Sequence, residues 1–279
     1  MSQNKKYANI LINTSNYDGK HSYVYKFPVA MNLQNARIAV DSMAIYNSTY
    51  NISSSLQNNQ FVIKWLGTDY NIVIPDGYYS FDNLNNFLEH QCLINNLYCT
   101  TDSGSKFVYF MNISANSVSY KAELDLFTIP TSAQATSLSY TIASGATWSF
   151  PVSATTPQIQ LNAGLQKLFG FKSQLLFPLT PQSSNQIFVS DTYPILSPIF
   201  CYIFTCNLIN TKFSQSPNLF YQIPIKSDFG GLIDIQQRSA FIDVAEGSYN
   251  NITIQLLDQN LNPLQLNDPE LSLTISLEY

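Results

Sequence analysis

The side chains that could carry out acid–base chemistry are few and far apart in this chain. There are only two histidines, His21 at the edge of a predicted strand and His90 on the polar side of a predicted helix. A metal site on a β-sandwich scaffold takes two or three clustered histidines together with a carboxylate. The chain cannot supply that set, so we expect no metal site and no histidine-based catalysis.

Two pairs of carboxylates have the spacing of neighbours on one face of a strand. Glu123 and Asp125 are two residues apart, and so are Asp268 and Glu270. Paired carboxylates could serve a glycosidase, because that reaction uses one acid and one nucleophile or base. Alternating acids on a strand are more often its solvated face. We therefore predict no catalytic residue, no cofactor-binding residue and no metal ligand.

The remaining chemical motifs are weak. Trp65 and Trp148 could form a platform on which sugars stack, although ordinary strand aromatics are the favoured interpretation. The sequence has no Gly-x-Ser-x-Gly elbow and no glycine-rich phosphate loop. These patterns do not point to an enzyme.

The four cysteines, Cys92, Cys99, Cys201 and Cys206, lack the Cys-x-x-Cys spacing of zinc and redox sites. Cys201 and Cys206 have opposite strand parity, so they would face opposite sides of one strand. We expect buried free thiols.

The composition is poor in charge. Charged residues make up 11% of the 279 residues, against about 25% in a typical soluble domain. A surface with so little charge suits a protein that other copies or partners cover. The net charge is −5 and the 13 basic residues do not cluster, so we expect no binding to nucleic acid.

The N-terminal residues contain no apolar core of the kind found in signal peptides. No window reaches the roughly 18 to 20 apolar residues of a membrane span. We therefore expect no membrane span, and a protein made and used on the cytosolic side.

Alternating apolar and polar residues predict a series of strands. The segments are 21–31, 36–46, 61–65, 70–74, 107–113, 118–126, 186–189, 198–209, 219–223, 232–235, 252–256 and 271–277. The strands 61–65 and 70–74 are predicted to form a hairpin. The last two strands are predicted to form the closing hairpin of the fold.

Helical spacing is clear in one segment. Residues 80–95 place apolar side chains three and four positions apart after Ser80, which is a natural N-cap. Residues 165–169 predict a short helical turn that ends at Gly170. Residues 131–156 are rich in Ser, Thr and Ala, and we interpret them as long loops or a loose hairpin.

These elements predict an all-β fold, a two-sheet jelly-roll sandwich with one main α-helix at about 80–95 and long loops. We divide the chain into an N-terminal arm, 1–20, and a single jelly-roll domain, 21–279. The low-complexity stretch 131–156 is a loop insertion in that domain.

Four motifs resemble elements of a known family. They are the strand–Gly-Tyr–helix element at 72–88, the Leu-Phe-Gly-Phe turn at 166–171, the segments 204–210 and 219–224 with Gly230, and the closing tail from 252. Their order and spacing over 23–277 are similar to those of penton (minor capsid) proteins of virophages and polinton-like viruses. The stretch 131–156 has no counterpart.

The resemblance implies a structural, non-enzymatic role in the virion. Five copies would form a homopentamer at each fivefold vertex of an icosahedral capsid that is assembled in the host cytoplasm. The partner would be a double jelly-roll major capsid protein. The arm 1–20 would face inward, and the outer loops could contact a host receptor.

Two other functions stay open from the residues themselves. One is a receptor- or carbohydrate-binding β-sandwich, such as a spike or fibre head. The other is a jelly-roll hydrolase that would use Glu123 and Asp125.

Overall fold

The computed structural model describes residues 6–101, 104–172, 174–210 and 218–279. Residues 1–5 of the predicted arm lie outside this part of the chain. The fold comprises two compact units. Unit 1 is formed by Met1–Thr49 and Ser197–Tyr279, and unit 2 by Tyr50–Leu196.

The chain is mainly β-strand, with α1 as the longest helix, so the predicted all-β class is confirmed. The strands are β1 Tyr7–Asn13, β2 Ser22–Leu33, β3 Arg37–Tyr46, β4 Gln60–Trp65, β5 Thr68–Val73, β6 Cys99–Thr101, β7 Lys106–Val108, β8 Met111–Ala115, β9 Ala122–Leu126, β10 Thr141–Ile142, β11 Gln158–Leu161, β12 Leu176–Phe177, β13 Gln186–Val189, β14 Cys201–Cys206, β15 Leu219–Pro224, β16 Leu232–Ile235, β17 Ile242–Asp243, β18 Gly247–Leu257 and β19 Leu271–Glu278. The helices are α1 Phe81–Ile94, α2 Ser132–Ser137 and α3 Ala163–Phe169.

The described residues of unit 1 form two antiparallel sheets. The first has the order β1-β19-β3-β16, with the short β17 also paired to β3, and the second has the order β15-β14-β18-β2. Without β17, the eight strands counted along the chain run 1-8-3-6 in the first sheet and 2-7-4-5 in the second. The residues of unit 2 lie in the sequence between β3 and β14, the third and fourth of these strands.

Residues 7–13, within the segment predicted as an arm, form β1. All seven residues pair with β19, and the backbone N–H of Lys6 donates to the carbonyl of Tyr279 at 2.9 Å. The sequence YANILIN explains this pairing, because Ile10 and Ile12 point into the core at period two.

The predicted closing hairpin of the tail is wrong. β18 pairs with β14 and β2, whereas β19 pairs with β1 and β3. The chain turns away directly after β18, because the carboxylate of Asp258 accepts the backbone N–H groups of Asn260 and Asn262, at 2.7 and 2.9 Å. The tail therefore supplies one inner strand to each sheet.

The two sheets of unit 1 share one core. Alternate side chains of every principal strand contribute to it, and Tyr202 and Phe204 on the inner strand β14 are fully buried. The opposite face of β14 is buried as well, because Cys201 and Ile203 pack with Leu257 in a small second cluster.

The outer face of the first sheet carries a polar network instead. Arg37 donates to both carboxylate oxygens of Glu278, at 2.9 and 3.0 Å, and Arg238 forms an ion pair with Asp41. Both guanidinium groups lie over the ring of Phe241, at 5.2 and 5.9 Å from its centroid. These are the only two arginines in the sequence, and together they link the C-terminal strand to β3 and to the residues before β17.

Where unit 2 is described, its strands form three smaller sheets, with the orders β12-β11-β4-β5, β13-β9-β8 and β10-β6-β7. The predicted hairpin is confirmed as β4 and β5. Leu66 and Gly67 between them both have positive φ, 48° and 89°, as a two-residue type I′ turn requires.

The helices of unit 2 begin and end at recognisable residues. Ser80 caps α1, which buries Phe81, Leu84 and Leu88 on one face, as predicted. α3 ends at Gly170, whose φ of 82° permits the left-handed cap. A Cβ at Gly170 would lie 2.3 Å from the carbonyl oxygen of Thr192, so a side chain here would force the neighbouring backbone to shift.

Residues 131–156 are not only loops. They hold α2 and β10, which pairs with β6, so the interpretation as long loops or a loose hairpin missed a helix in this stretch. The helix is explained by a capping box. The side chain of Thr131 accepts from the backbone N–H of Gln134, and the side chain of Gln134 accepts from the backbone N–H of Thr131.

Candidate functional site

The two histidines belong to different units. His21, in unit 1, donates its backbone N–H to Asp18 at 3.2 Å, and His90 is exposed on α1 in unit 2. The pKa of Asp18 is lowered: burial opposes this shift, but hydrogen bonds from the N–H groups of Lys20, Ser22 and His21 outweigh it. Among the described residues, no group of three or more His, Cys, Asp or Glu side chains could hold a metal ion.

The carboxylates of Glu123 and Asp125 lie on the same face of β9, as their spacing predicted. Each accepts a hydrogen bond from an asparagine amide on or just beyond the adjacent β8: Asn116 to Glu123 at 2.7 Å, and Asn112 to Asp125 at 2.9 Å. The pair therefore connects two neighbouring strands, which is the expected behaviour of a polar strand face.

Asp268 and Glu270 do not share a strand face, so this part of the sequence interpretation is wrong. Both residues lie in the turn before β19. The Asp268 carboxylate accepts the backbone N–H of Glu270 at 3.0 Å, with Pro269 between them, which makes a local turn instead of a catalytic pair.

The two tryptophans form part of the core of unit 2. Trp65 is 1% exposed, and its ring centroid lies 5.1 Å from that of Trp148. Trp148 donates its indole N–H to the carbonyl of Asn96 at 2.6 Å. A buried Trp65 cannot offer a face to a sugar, so the interpretation as ordinary strand aromatics is confirmed for this residue.

The four cysteines are free and buried, as predicted. Burial raises the pKa of Cys92, Cys99 and Cys206 to about 12, so these thiols are poor nucleophiles. Cys206 faces the shared core and Cys201 faces the cluster on the opposite side of β14, as their strand parity indicated.

The exposed apolar side chains at the sheet edges are the more informative surface of unit 1. On the outer face of the first sheet, β1 presents Tyr7 and Leu11, which are 65% and 53% exposed. The opposite edge strand, β16, presents Leu232, which is 50% exposed. We call these the β1 edge and the β16 edge.

The second sheet has an apolar protrusion on its edge strand β2. Lys26 pairs with Asn251 and Met31 pairs with Tyr249, so four residues of β2 stand opposite one residue of β18. These four, residues 27–30, include Pro28 and the 76% exposed Val29. We call them the β2 bulge.

The sequence alone did not reveal these surfaces. The signal for the β1 edge was present, because Leu11 is apolar at a position where the alternation of Ile10 and Ile12 demands an outward side chain.

No helix in the described part of the chain is long and apolar enough to cross a membrane.

Two solved structures are similar to nearly the whole chain. The mavirus penton protein is 13% identical, with 99% of each chain covered and a TM-score of 0.43. The Sputnik virophage structure determined by cryo-EM is 11% identical, with 98% of this chain and 97% of that chain covered and a TM-score of 0.39. No protein-family model matches the sequence, and no curated protein matches it.

The first of these structures is of a penton protein and the second is of a virophage. At TM-scores of 0.43 and 0.39, they carry no further conclusion about fold or function.

Proposed function

We propose that this chain is a viral structural protein, a penton or minor capsid protein that forms homopentamers at the fivefold vertices of an icosahedral capsid. Its partner is a double jelly-roll major capsid protein, and it is incorporated into virions assembled in the host cytoplasm. In this role it is not an enzyme and needs no cofactor.

The observation that carries the proposal is the strand order of unit 1. The orders 1-8-3-6 and 2-7-4-5 are those of an eight-stranded jelly roll, in which successive strands lie in alternate sheets except for the fourth and fifth, which pair as a hairpin. Jelly rolls of this kind recur as the building domains of viral capsids. We therefore keep the jelly-roll prediction in a narrower form, with unit 1 as the jelly roll and unit 2 as an insertion between its third and fourth strands.

The predicted arm is also kept in a narrower form. β1 belongs to the sheet and Lys6 is hydrogen-bonded to Tyr279, so we restrict the proposed arm to residues 1–5. We place them on the inner side of the capsid.

The composition supports a surface that is covered in the assembled particle. Only 11% of the residues are charged, and Asn, Gln, Ser and Thr provide the polarity instead. Subunits that carry little like charge can pack closely in a ring without strong mutual repulsion.

A pentameric ring requires each subunit to present two different, complementary sides. The β1 edge and the β16 edge meet this requirement, because they lie on opposite edges of one sheet and both expose apolar side chains. Edge strands also offer unpaired backbone groups to a neighbour. We assign the contact between subunits to the β1 edge of one copy and the β16 edge of the next.

Co-expression with a double jelly-roll major capsid protein, followed by electron microscopy, tests this function. We expect closed particles with this chain at the fivefold vertices. The double variant Tyr7→Lys/Leu11→Lys should leave the vertices empty, because the new like charges oppose burial of the β1 edge.

Val152→Lys is the matched control, since Val152 is 98% exposed in unit 2 and lies outside both edges. It should enter particles as the wild type does. Particles that never contain the wild-type chain would contradict the proposed function, and full occupancy by the double variant would contradict the assigned contact.

A further inference from the structure

Unit 2 contains a surface groove of about 460 Å³ that no part of the proposed capsid role uses. Its volume is within the range of about 300–1,000 Å³ that is typical of small-molecule sites. The residues that line the groove include Tyr109, Phe127, Gln134, Leu138, Tyr140 and Asn185.

One wall of the groove comes from the low-complexity stretch 131–156. Gln134 and Leu138 lie on and just after α2, and Tyr140 precedes β10. The other wall comes from residues beside the sheet of β8, β9 and β13, including Phe127 and Asn185. Residues 131–156, for which we found no counterpart in the penton proteins, thus complete a concave surface.

Two amide side chains in the groove are held in a fixed orientation. The side-chain oxygen of Gln134 accepts the backbone N–H of Thr131 at 2.9 Å, and that of Asn185 accepts the backbone N–H of Thr128 at 2.9 Å. A backbone N–H can only donate, so the atom facing it must be the amide oxygen. Each NH₂ group is left as a donor without a protein acceptor in the described part of the chain.

The groove is aromatic and uncharged. Phe127 is 38% exposed, and Tyr109 and Tyr140 contribute two further rings. None of the described lining residues carries a charge. Such a surface has nothing to compensate a phosphate or carboxylate, whereas rings can contact the apolar face of a sugar and amides can donate to its hydroxyl groups.

We propose that this groove binds a short neutral oligosaccharide. Residues 131–140 form its recognition wall, with ring contact from Phe127 and hydrogen bonds from the NH₂ groups of Gln134 and Asn185. All of these groups belong to one subunit, so the site is complete in a single chain. It does not depend on pentamer formation.

Saturation-transfer NMR on the purified full chain tests the proposal, with cellotriose, chitotriose and maltotriose as neutral probes and 3′-sialyllactose as an anionic comparison. We expect at least one neutral trisaccharide to bind, and the sialylated sugar to bind more weakly. No transfer to any of the three neutral probes would overturn the proposal.

Two variants locate the binding. Asn185→Asp keeps an oxygen for the N–H of Thr128, but it replaces the NH₂ donor with a second oxygen and adds a negative charge, so affinity should fall about fivefold. Phe127→Ala removes one ring and should weaken binding about tenfold. Circular dichroism establishes that both variants are folded.

Tyr193→Ala is the control, because Tyr193 is 67% exposed in the same unit but does not line the groove. It should bind as the wild type does. Unchanged affinity in both groove variants, or an equal loss in the control, would show that any binding lies elsewhere. Assembly is read separately on the same samples, so failure of this site and failure of the capsid role can be told apart.

Discussion

Unit 1 and unit 2 are built by different means from the same composition. Unit 1 has strands of up to 12 residues and two continuous sheets over one core. In the described part of unit 2 no strand exceeds six residues, and all three α-helices are found there. Long paired strands produce a regular body that can repeat in a shell, whereas short elements with capped helices produce a shaped surface. In our proposals, unit 1 serves assembly and unit 2 serves recognition.

The largest expected effect is on the core of unit 1. Phe204→Ala should lower the free energy of unfolding by about 4 kcal/mol, because a fully buried ring on an inner strand leaves a cavity. Hydrogen exchange followed by mass spectrometry should show faster exchange in peptides of unit 1. Phe200→Ala, at a side chain that is 61% exposed just before the same strand, should change stability by less than about 0.5 kcal/mol. Equal effects of the two variants would contradict the assigned core.

In unit 2 the corresponding weak point is a backbone position. Gly170→Ala should cost about 3 kcal/mol, because the new Cβ meets the Thr192 carbonyl and the left-handed backbone is strained. Both tryptophans lie in unit 2, so tryptophan fluorescence during urea unfolding reports this loss directly.

Gly67→Ala isolates the backbone strain. Gly67 also has positive φ, 89°, but a Cβ added there would have no atom within 4 Å. This substitution should cost only about 1 kcal/mol. If the two alanine variants were equally stable, close packing at Gly170 would not be the cause.

Loss of an ion pair should change the free energy of unfolding by different amounts in the two units. Arg37→Met should destabilise unit 1 by about 2 kcal/mol, since the Glu278 side chain is only 4% exposed and loses its bidentate partner. In unit 2, Lys64→Met removes a pair with Asp69, which is 54% exposed, and should cost less than about 0.5 kcal/mol. Chemical denaturation of both variants measures the difference, and a larger loss for Lys64→Met would reverse the comparison.

Buried thiols add a contribution to stability that depends on alkaline pH. The pKa values of Cys92 and Cys99 in unit 2, and of Cys206 in unit 1, rise from 9.0 to about 12 on folding. Above pH 9 the unfolded chain loses these protons first, so stability is complete below pH 9 and falls towards pH 12. At pH 10 the loss should be about 1 kcal/mol per thiol.

Cysteine variants separate the two contributions. The double variant Cys92→Ala/Cys99→Ala should flatten the pH dependence of urea unfolding about twice as much as Cys206→Ala. An unchanged slope in the double variant would mean that other groups control the alkaline loss.

The sequence predicted local structure better than the path of the chain. α1 and the β4–β5 hairpin were predicted closely, because helical spacing, Ser80 and Leu66-Gly67 act locally. The predicted hairpin of the tail was wrong because alternation of apolar and polar residues identifies β18 and β19 as strands but does not indicate which sheet each strand joins. α2 was missed although its capping box, Thr131 to Gln134, is readable in the sequence.

The candidate surfaces were less predictable than the fold. Tyr7 and Leu11 were interpreted as part of an arm, because pairing of β1 with β19 depends on residues 259 to 271 positions away. Phe127, Gln134 and Asn185 line the groove together, although they are far apart in the sequence. No local sequence pattern predicts that they lie close in space.

Native mass spectrometry of the purified full chain tests whether the protein forms a pentamer. A penton protein whose unit 1 closes into a ring should give a pentamer as its main oligomer, and Tyr7→Lys/Leu11→Lys should shift it to monomer while Val152→Lys should not. A wild-type chain that stays monomeric at every concentration, and that also fails to enter particles with the major capsid protein, would contradict the account.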